Sequence, residues 1–273
     1  MRLSHAHFAR TLLAGAIVAA LAGCGTRTEV RNLDTRGLVA AIQAANERPG
    51  SDVIHLAPGG LYLLRDAPRD ATTLLPPITD DLRIEGNGAE IRRDADGRRA
   101  LVEVAPGANV RLQSLTLAEG SDGAIRNYGT LRLDSVRVTD SFGGGSPAGA
   151  TAIVLNHGLL EASDSEIAYN LLPTSARDAG TVVNYGELRL RNTSIHDNTT
   201  QSGHPGLAAA GAVLNLGTLQ VQHARIADNR AEDGEQAEAL AFPAVLNLGN
   251  GRVEGDLPRV QVREAGMVAV ASR

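Results

Sequence analysis

The chain of 273 residues has no lysine and no tryptophan, one cysteine, three phenylalanines and four tyrosines. Each shortage excludes a class of chemistry. Without lysine there is no P-loop phosphate clamp, no Schiff base and no lysine general base. One cysteine permits neither an intrachain disulfide nor a cysteine-based zinc site. Seven aromatic side chains offer few platforms for stacking bases or sugars. All 26 basic residues are arginine, and 31 acids leave a net charge of -5, so nucleic acid is not an expected partner. No cofactor and no metal is expected either.

Long apolar runs are also scarce. The longest, Thr11 to Leu21, is too short for a membrane-spanning helix, which needs about 20 residues. It follows Arg2 and Arg10 and has the length of a signal-peptide core. Leu21-Ala22-Gly23-Cys24 comes next and resembles a bacterial lipobox, in which cleavage falls between glycine and cysteine and the thiol is lipidated. The resemblance implies cleavage between Gly23 and Cys24 and an acyl anchor on Cys24. Gly25 stands where an aspartate would signal inner-membrane retention, which implies the outer membrane. The expected organisation is a leader (1–23), a short polar lipidated tether (24–33) and one folded domain (34–273).

The domain repeats. Asn127-Tyr-Gly, Asn156-His-Gly, Asn184-Tyr-Gly, Asn215-Leu-Gly and Asn247-Leu-Gly are spaced 29, 28, 31 and 32 residues apart. A small-apolar run precedes each asparagine. A β-branched residue (Val138, Ile167, Ile195, Ile226) follows the first four glycines by nine positions, and a polar end closes each unit. Inside a unit apolar residues alternate, as in Thr130-Leu131-Arg132-Leu133 and Glu187-Leu188-Arg189-Leu190. A period of two over so few residues specifies short strands with one buried face. Three such strands per unit describe one coil of a parallel β-helix.

Less regular coils are expected upstream, at Val53–Leu56 with Leu61–Leu63, at Leu82–Ile84, and at Leu101–Val104 with Val110–Leu112 and Leu115–Leu117. Closing strands are expected at Val260–Val262 and Val268–Val270. The fold class is therefore all-β, a single-stranded parallel β-helix of about eight or nine coils. Thr35 to Asn46 reads as a helix capped by Asp34 or Thr35, with Leu38, Ala41, Ile42 and Ala45 on one face and Pro49-Gly50 at its end. It would cover the N-terminal end of the core. A loop or a partner must protect the other end.

The capping helix with Ile42-Gln43-Ala44-Ala45-Asn46, the turn Ile84-Glu85-Gly86-Asn87-Gly88 and the Asn-x-Gly coils resemble bacterial right-handed parallel β-helix proteins of the pectin-lyase-like superfamily, over roughly residues 34–270. The resemblance implies a fold that hosts lyases, hydrolases, epimerases, adhesins and passive stalks, so function must come from sites. The Asn-Thr-Asp, Gly-His-Gly and Arg-Ile-Lys motifs of galacturonan hydrolases and the Asp-Pro-His of alginate epimerases are absent, and Asp80-Asp81 is a bare dipeptide. Only an arginine-base lyase survives. It would need calcium-binding carboxylates beside Arg132, Arg137, Arg189 or Arg191. Those arginines alternate with core residues, and Glu161, Glu166 and Glu187 on neighbouring coils can pair with them.

Asn127, Asn156, Asn184, Asn215 and Asn247 read as a structural ladder at a coil corner, and Asn170, Asn198 and Asn229 as a second. Tyr128, His157 and Tyr185 read as a packing stack that Leu216 and Leu248 continue, with a sugar-binding strip as the alternative. His196-Asp197 and His223 fall out of register with each other, and Asp80, Asp81, Asp94 and Asp96 read as solvated turn acids.

Four inserts, Phe142–Gly149, Leu171–Ala179, Thr199–Ala210 and Arg230–Phe242, interrupt the same junction. Stacked coils would place them on one side, as a candidate binding flank carrying Arg177, Asp178, His204, Arg230, Glu232 and Asp233. The leading expectation is an outer-membrane lipoprotein whose β-helix displays this flank, without catalysis, to a glycan or an envelope protein. The alternatives are a divergent calcium-dependent polysaccharide lyase and a structural envelope component.

Overall fold

A computed structural model describes residues 25–65, 67, 71–143, 151–174, 179–202, 210–233, 245–255 and 262–265. The chain enters as β1 (Arg27–Val30), then α1 (Thr35–Asn46), β2 (Asp52–Leu56), β3 (Leu61–Leu64), β4 (Leu82–Arg93), β5 (Val102–Val104) and β6 (Asn109–Ala118). Three-strand coils follow: β7 (Ile125–Asn127), β8 (Thr130–Asp134) and β9 (Arg137–Thr139) form the first. β10 (Thr151–Asn156), β11 (Leu159–Ser163), β12 (Glu166–Ala168) and an added β13 (Leu171–Thr174) form the second. The next coil repeats these four as β14 (Ala179–Asn184), β15 (Glu187–Arg191), β16 (Ser194–His196) and β17 (Thr199–Ser202). Then come β18 (Val213–Asn215), β19 (Thr218–Gln222), β20 (Arg225–Ala227) and β21 (Arg230–Asp233), and last β22 (Val245–Leu248), β23 (Arg252–Gly255) and β24 (Val262–Ala265).

Every pairing is parallel and joins one turn to the next, so the fold is a parallel β-helix. One sheet of 14 strands wraps two faces, because the long strands β4 and β6 bend across a corner. A second sheet, β24-β22-β18-β14-β10-β7-β5, closes the third face. It has one strand per turn and gives about seven turns, fewer than the eight or nine expected. The excess arose from counting apolar runs: β1 to β3 reach only the first two faces, with α1 at their end. Val268–Val270 and Val260–Gln261 lie outside the described residues.

Alternation buries one side of each strand, and register stacks these residues in columns. Ile54, Ile84, Leu112, Leu133, Ala162, Leu190 and Val221 form one. Leu117, Val138, Ile167, Ile195 and Ile226 form a second, and Val102, Ile125, Val154, Val182, Val213 and Val245 a third. A fully buried branched side chain contributes about 1.5–3 kcal/mol, so each turn strengthens the next.

The helix forms over the expected span. The Asp34 carboxylate accepts from Gly37 N–H, and Leu38, Ala41, Ile42 and Ala45 are buried against the first strands. Two features differ from expectation. The Ile84–Gly88 turn is a bulge inside continuous β4, where Asn87 (φ 52°) and Gly88 (φ 79°) shift the register between Glu85 and Ala89. Residues 26–30, expected within a tether, are held to the fold: β1 pairs with β2, and Thr26 N–H donates to Asp52 Oδ1 at 2.6 Å. Pairing with an open strand edge outweighs the polarity of this stretch.

Candidate functional site

Coil corners organise the polar side chains. The five Asn-x-Gly asparagines stand at the corner between the third and first faces, and all are buried. Each side-chain amide donates to the next: Asn127 to Asn156, Asn156 to Asn184, Asn184 to Asn215 and Asn215 to Asn247, at 2.7 Å throughout. The same amides also donate to the main-chain oxygens of Leu159, Glu187, Thr218 and Arg252 on the following turn. Nothing in this column is open to a ligand.

The glycine of the motif has a reason other than a turn. A Cβ at Gly158, Gly186 or Gly217 would lie 1.9–2.1 Å from the main-chain oxygen of the glycine one turn earlier. These glycines let the backbones stack. Gly249 is not one of them, for its φ is 61° and its surroundings are open. Gly251 takes the place, accepting from Asn247 at 2.7 Å, so the fifth unit carries two extra residues at its corner.

Asn170, Asn198 and Asn229 make a second column, with amide-to-amide distances of 2.8 Å. Their Oδ1 atoms also accept from the main-chain N–H of Ser141, Asn170 and Asn198. Tyr128, His157 and Tyr185 stack face to face, at 5.3 and 4.7 Å between centroids and 14° and 7° between planes. Burial lowers the His157 pKa below the usual histidine range, which keeps the middle ring neutral. The stack covers both faces of His157 and one face each of Tyr128 and Tyr185. A sugar needs a face, and the middle ring of this column offers none. Leu216 and Leu248 continue it against Val183, Leu214 and Leu246.

The first face turns charged groups outward. Glu161 lies between Arg132 (2.8 Å) and Arg189 (2.6 Å), and Arg189 also meets Glu187 at 2.7 Å. Hydrogen bonds that Arg189 donates to Glu187 and then Glu161 raise its pKa, away from any use as a base. Two histidine clusters join side chains from different turns, and of their contacts only the neighbours His196-Asp197 are visible in the sequence. Nearly buried His55 accepts from Arg27 at Nε2 (2.6 Å) and meets Glu85 through Nδ1 (2.8 Å). His196 joins Glu166 (2.8 Å) and Asp197 (2.7 Å), and Arg137 meets the same Glu166 at 3.1 Å. Register pairs His196 with Ala227, which leaves His223 at a different corner.

Tyr169 is the irregular residue beside this cluster. Asp140, Tyr169, Asp197 and Asp228 share a corner at φ between 52° and 59°. Aspartate tolerates that region and a bulky ring does not. Tyr169 is about half exposed, packs edge-on against His196, and lines an open groove with Glu90, Arg92, Glu119, Arg137 and Asp140. The broken aspartate column was the one sequence signal for it.

Asp80 caps the N–H of Asp81, and Asp94 pairs with Arg65 at 2.6 Å. Among the described residues, no three acids, histidines or cysteines are placed to share a metal ion.

The inserts were expected as loops, but three of them begin as strands. β13, β17 and β21 form a separate parallel sheet, with Leu171, Thr199 and Arg230 in register. Phe142 of the preceding turn bridges to Leu171. Each new strand continues the pairing of its coil after the second asparagine column, so stacking wins over loop polarity. Arg230, Glu232 and Asp233 lie on β21, next to Thr199, Gln201 and Ser202. Arg177, Asp178 and His204 lie outside the described residues, as do Gly23 and Cys24.

No protein-family model matches this chain, and no curated protein is significantly similar to it. What the geometry establishes is a parallel β-helix with two amide columns, a ring column and a stacked set of inserts.

Proposed function

We propose that this protein is a lipid-anchored β-helix of the pectin-lyase-like type, held in the outer membrane by Cys24, that displays a binding flank to a glycan or an envelope protein without catalysis. The in-register sheet β13-β17-β21 is the observation that carries this reading. It starts the inserts of three successive turns in register on one side, which is how a rigid scaffold concentrates recognition. The flank comprises Arg177, Asp178, His204, Arg230, Glu232 and Asp233. Supporting it, Arg132 and Arg189 of the first face are engaged by carboxylates, and both asparagine columns are spent on the fold.

The test uses protein lacking residues 1–23. Glycans and envelope proteins are screened for retention, with each insert shortened to a tight turn in turn. Retention without turnover, lost when inserts are shortened, supports the proposal. Robust turnover of pectin, alginate or host glycans refutes it. Palmitate labelling of the full chain that survives Cys24→Ser refutes the anchor.

The groove beside Tyr169 favours a second reading, a polysaccharide lyase, since it sets Arg92 and Arg137 among Glu90, Glu119 and Asp140. Arg137 is tied to Glu166, which opposes its use as a base. Unsaturated products absorbing in the ultraviolet, lost with Arg137→Ala, would select this reading.

A further inference from the structure

We infer that the α1-capped end of the solenoid is a membrane-docking surface, and that the helix stands on the lipid by this end instead of drifting on a tether. The inference rests on the acyl anchor proposed for Cys24. It starts from the length of free chain. Thr26 is already fixed, since its N–H donates to buried Asp52 (2.6 Å) and its carbonyl accepts from Val53 N–H (2.8 Å). Only Gly25 separates Thr26 from Cys24. Two residues span about 7 Å at most, so an acylated Cys24 holds the first turn against the headgroups.

The surface at that end suits a lipid interface. Leu33 is the most exposed large apolar side chain among the described residues, at 63%. It shares an open groove with Val39, Ala40 and Leu63, whose polar lining is Asp34, Thr35, Gln43, Arg36 and the Asp94-paired Arg65. Arg31, Arg36 and Arg48 are exposed, and none makes an ion pair with a described residue. Residues 25–50 hold four arginines against three acids, whereas residues 51–273 hold 20 arginines against 28 acids. Exposed Leu33 beside arginines that no described carboxylate neutralises, on the less acidic end, fits anionic headgroups, and the acidic body is repelled from them. About seven turns at roughly 4.8 Å place the last strands about 30 Å further out.

The test uses the full chain with its leader, isolated from membranes and reconstituted in vesicles containing anionic lipid. Leu33→Cys and Arg252→Cys are labelled with a fluorescent maleimide, and quenching by nitroxide-headgroup lipid is measured. Severalfold stronger quenching at position 33 than at 252 is expected, with loss of most of that difference when Arg31, Arg36 and Arg48 are replaced by glutamate. Equal quenching, with Cys24 unreactive toward maleimide, overturns the docking surface and leaves the anchor standing. Labelling of Cys24 in the parent chain overturns the anchor, and this inference with it.

Discussion

Removing one amide from the middle of the first asparagine column should cost more than removing one from its end. Asn184 is fully buried, donates to Asn215, Thr218 and Gly186, and accepts from Asn156. In Asn184→Ala, Asn215 Oδ1 loses its donor and the Asn156 amide loses one of three acceptors, keeping Gly158 and Glu187. Each buried polar group left unpaired costs about 1–3 kcal/mol. One such group, Asn215 Oδ1, gives a loss of about 1–3 kcal/mol, or roughly 2–12 °C in Tm at about 2–4 °C per kcal/mol for a domain of this size. Asn247→Ala takes one of three acceptors from the Asn215 amide, which keeps Gly217 and Arg252, and should cost less. Asn184→Asp keeps the volume but sets an oxygen against three oxygens. Burial without a cation raises the pKa of that carboxyl, so its proton is bound more tightly folded than unfolded. The variant should therefore be nearest wild type below about pH 4 and lose stability as pH rises through the raised value. Solenoids need not unfold in one step, so melts should be paired with hydrogen exchange at Tyr185 and Leu216. Equal losses at positions 184 and 247, or an Asn184→Asp variant steadier at pH 7 than at pH 4, would refute this account.

Gly186→Ala should cost about 1–3 kcal/mol, because its Cβ would lie 2.1 Å from the Gly158 oxygen; an unchanged urea midpoint would show that the turns can part. Glu161→Gln should change stability by under about 1 kcal/mol, since its pairs with Arg132 and Arg189 are solvent-screened; a loss above about 2 kcal/mol would show a buried network instead. His157 has a lowered folded pKa, so its contribution is complete above about pH 6.5 and is lost as pH falls toward the folded value. Melts at pH 7.5 and 5 should therefore differ less in His157→Phe than in wild type, and an equal difference would exclude the stack as the cause.

The elements most readable from sequence were those in which chemistry repeats. Asp34 before Leu38, Ala41, Ile42 and Ala45 marks the helix because capping and a 3.6-residue period agree. The Asn-x-Gly units mark the turns because each buried amide needs the same neighbour one turn on. Where several side chains from different turns meet, sequence spacing carries little. His55 meets Arg27 across 28 residues, and His196 meets Glu166 across 30. Strand β1 looked polar because only one of its four residues, Val30, faces the core. The strands β13, β17 and β21 lack apolar alternation, since stacking on the turn before is what orders them.

The amide columns also give the solenoid a direction. In both, every amide-to-amide bond runs the same way, from an N–H of one turn to the side-chain oxygen of the next. Aligned this way the side-chain dipoles add, with the negative end toward the helix-capped turn and the positive end at Asn247 and Asn229, and each bond polarises the next. The two ends of the molecule are thus chemically unlike. A further turn bearing an asparagine could be spliced on after Asn247, where its oxygen would meet a donor. Reversing even one amide would set like poles together and break the column there.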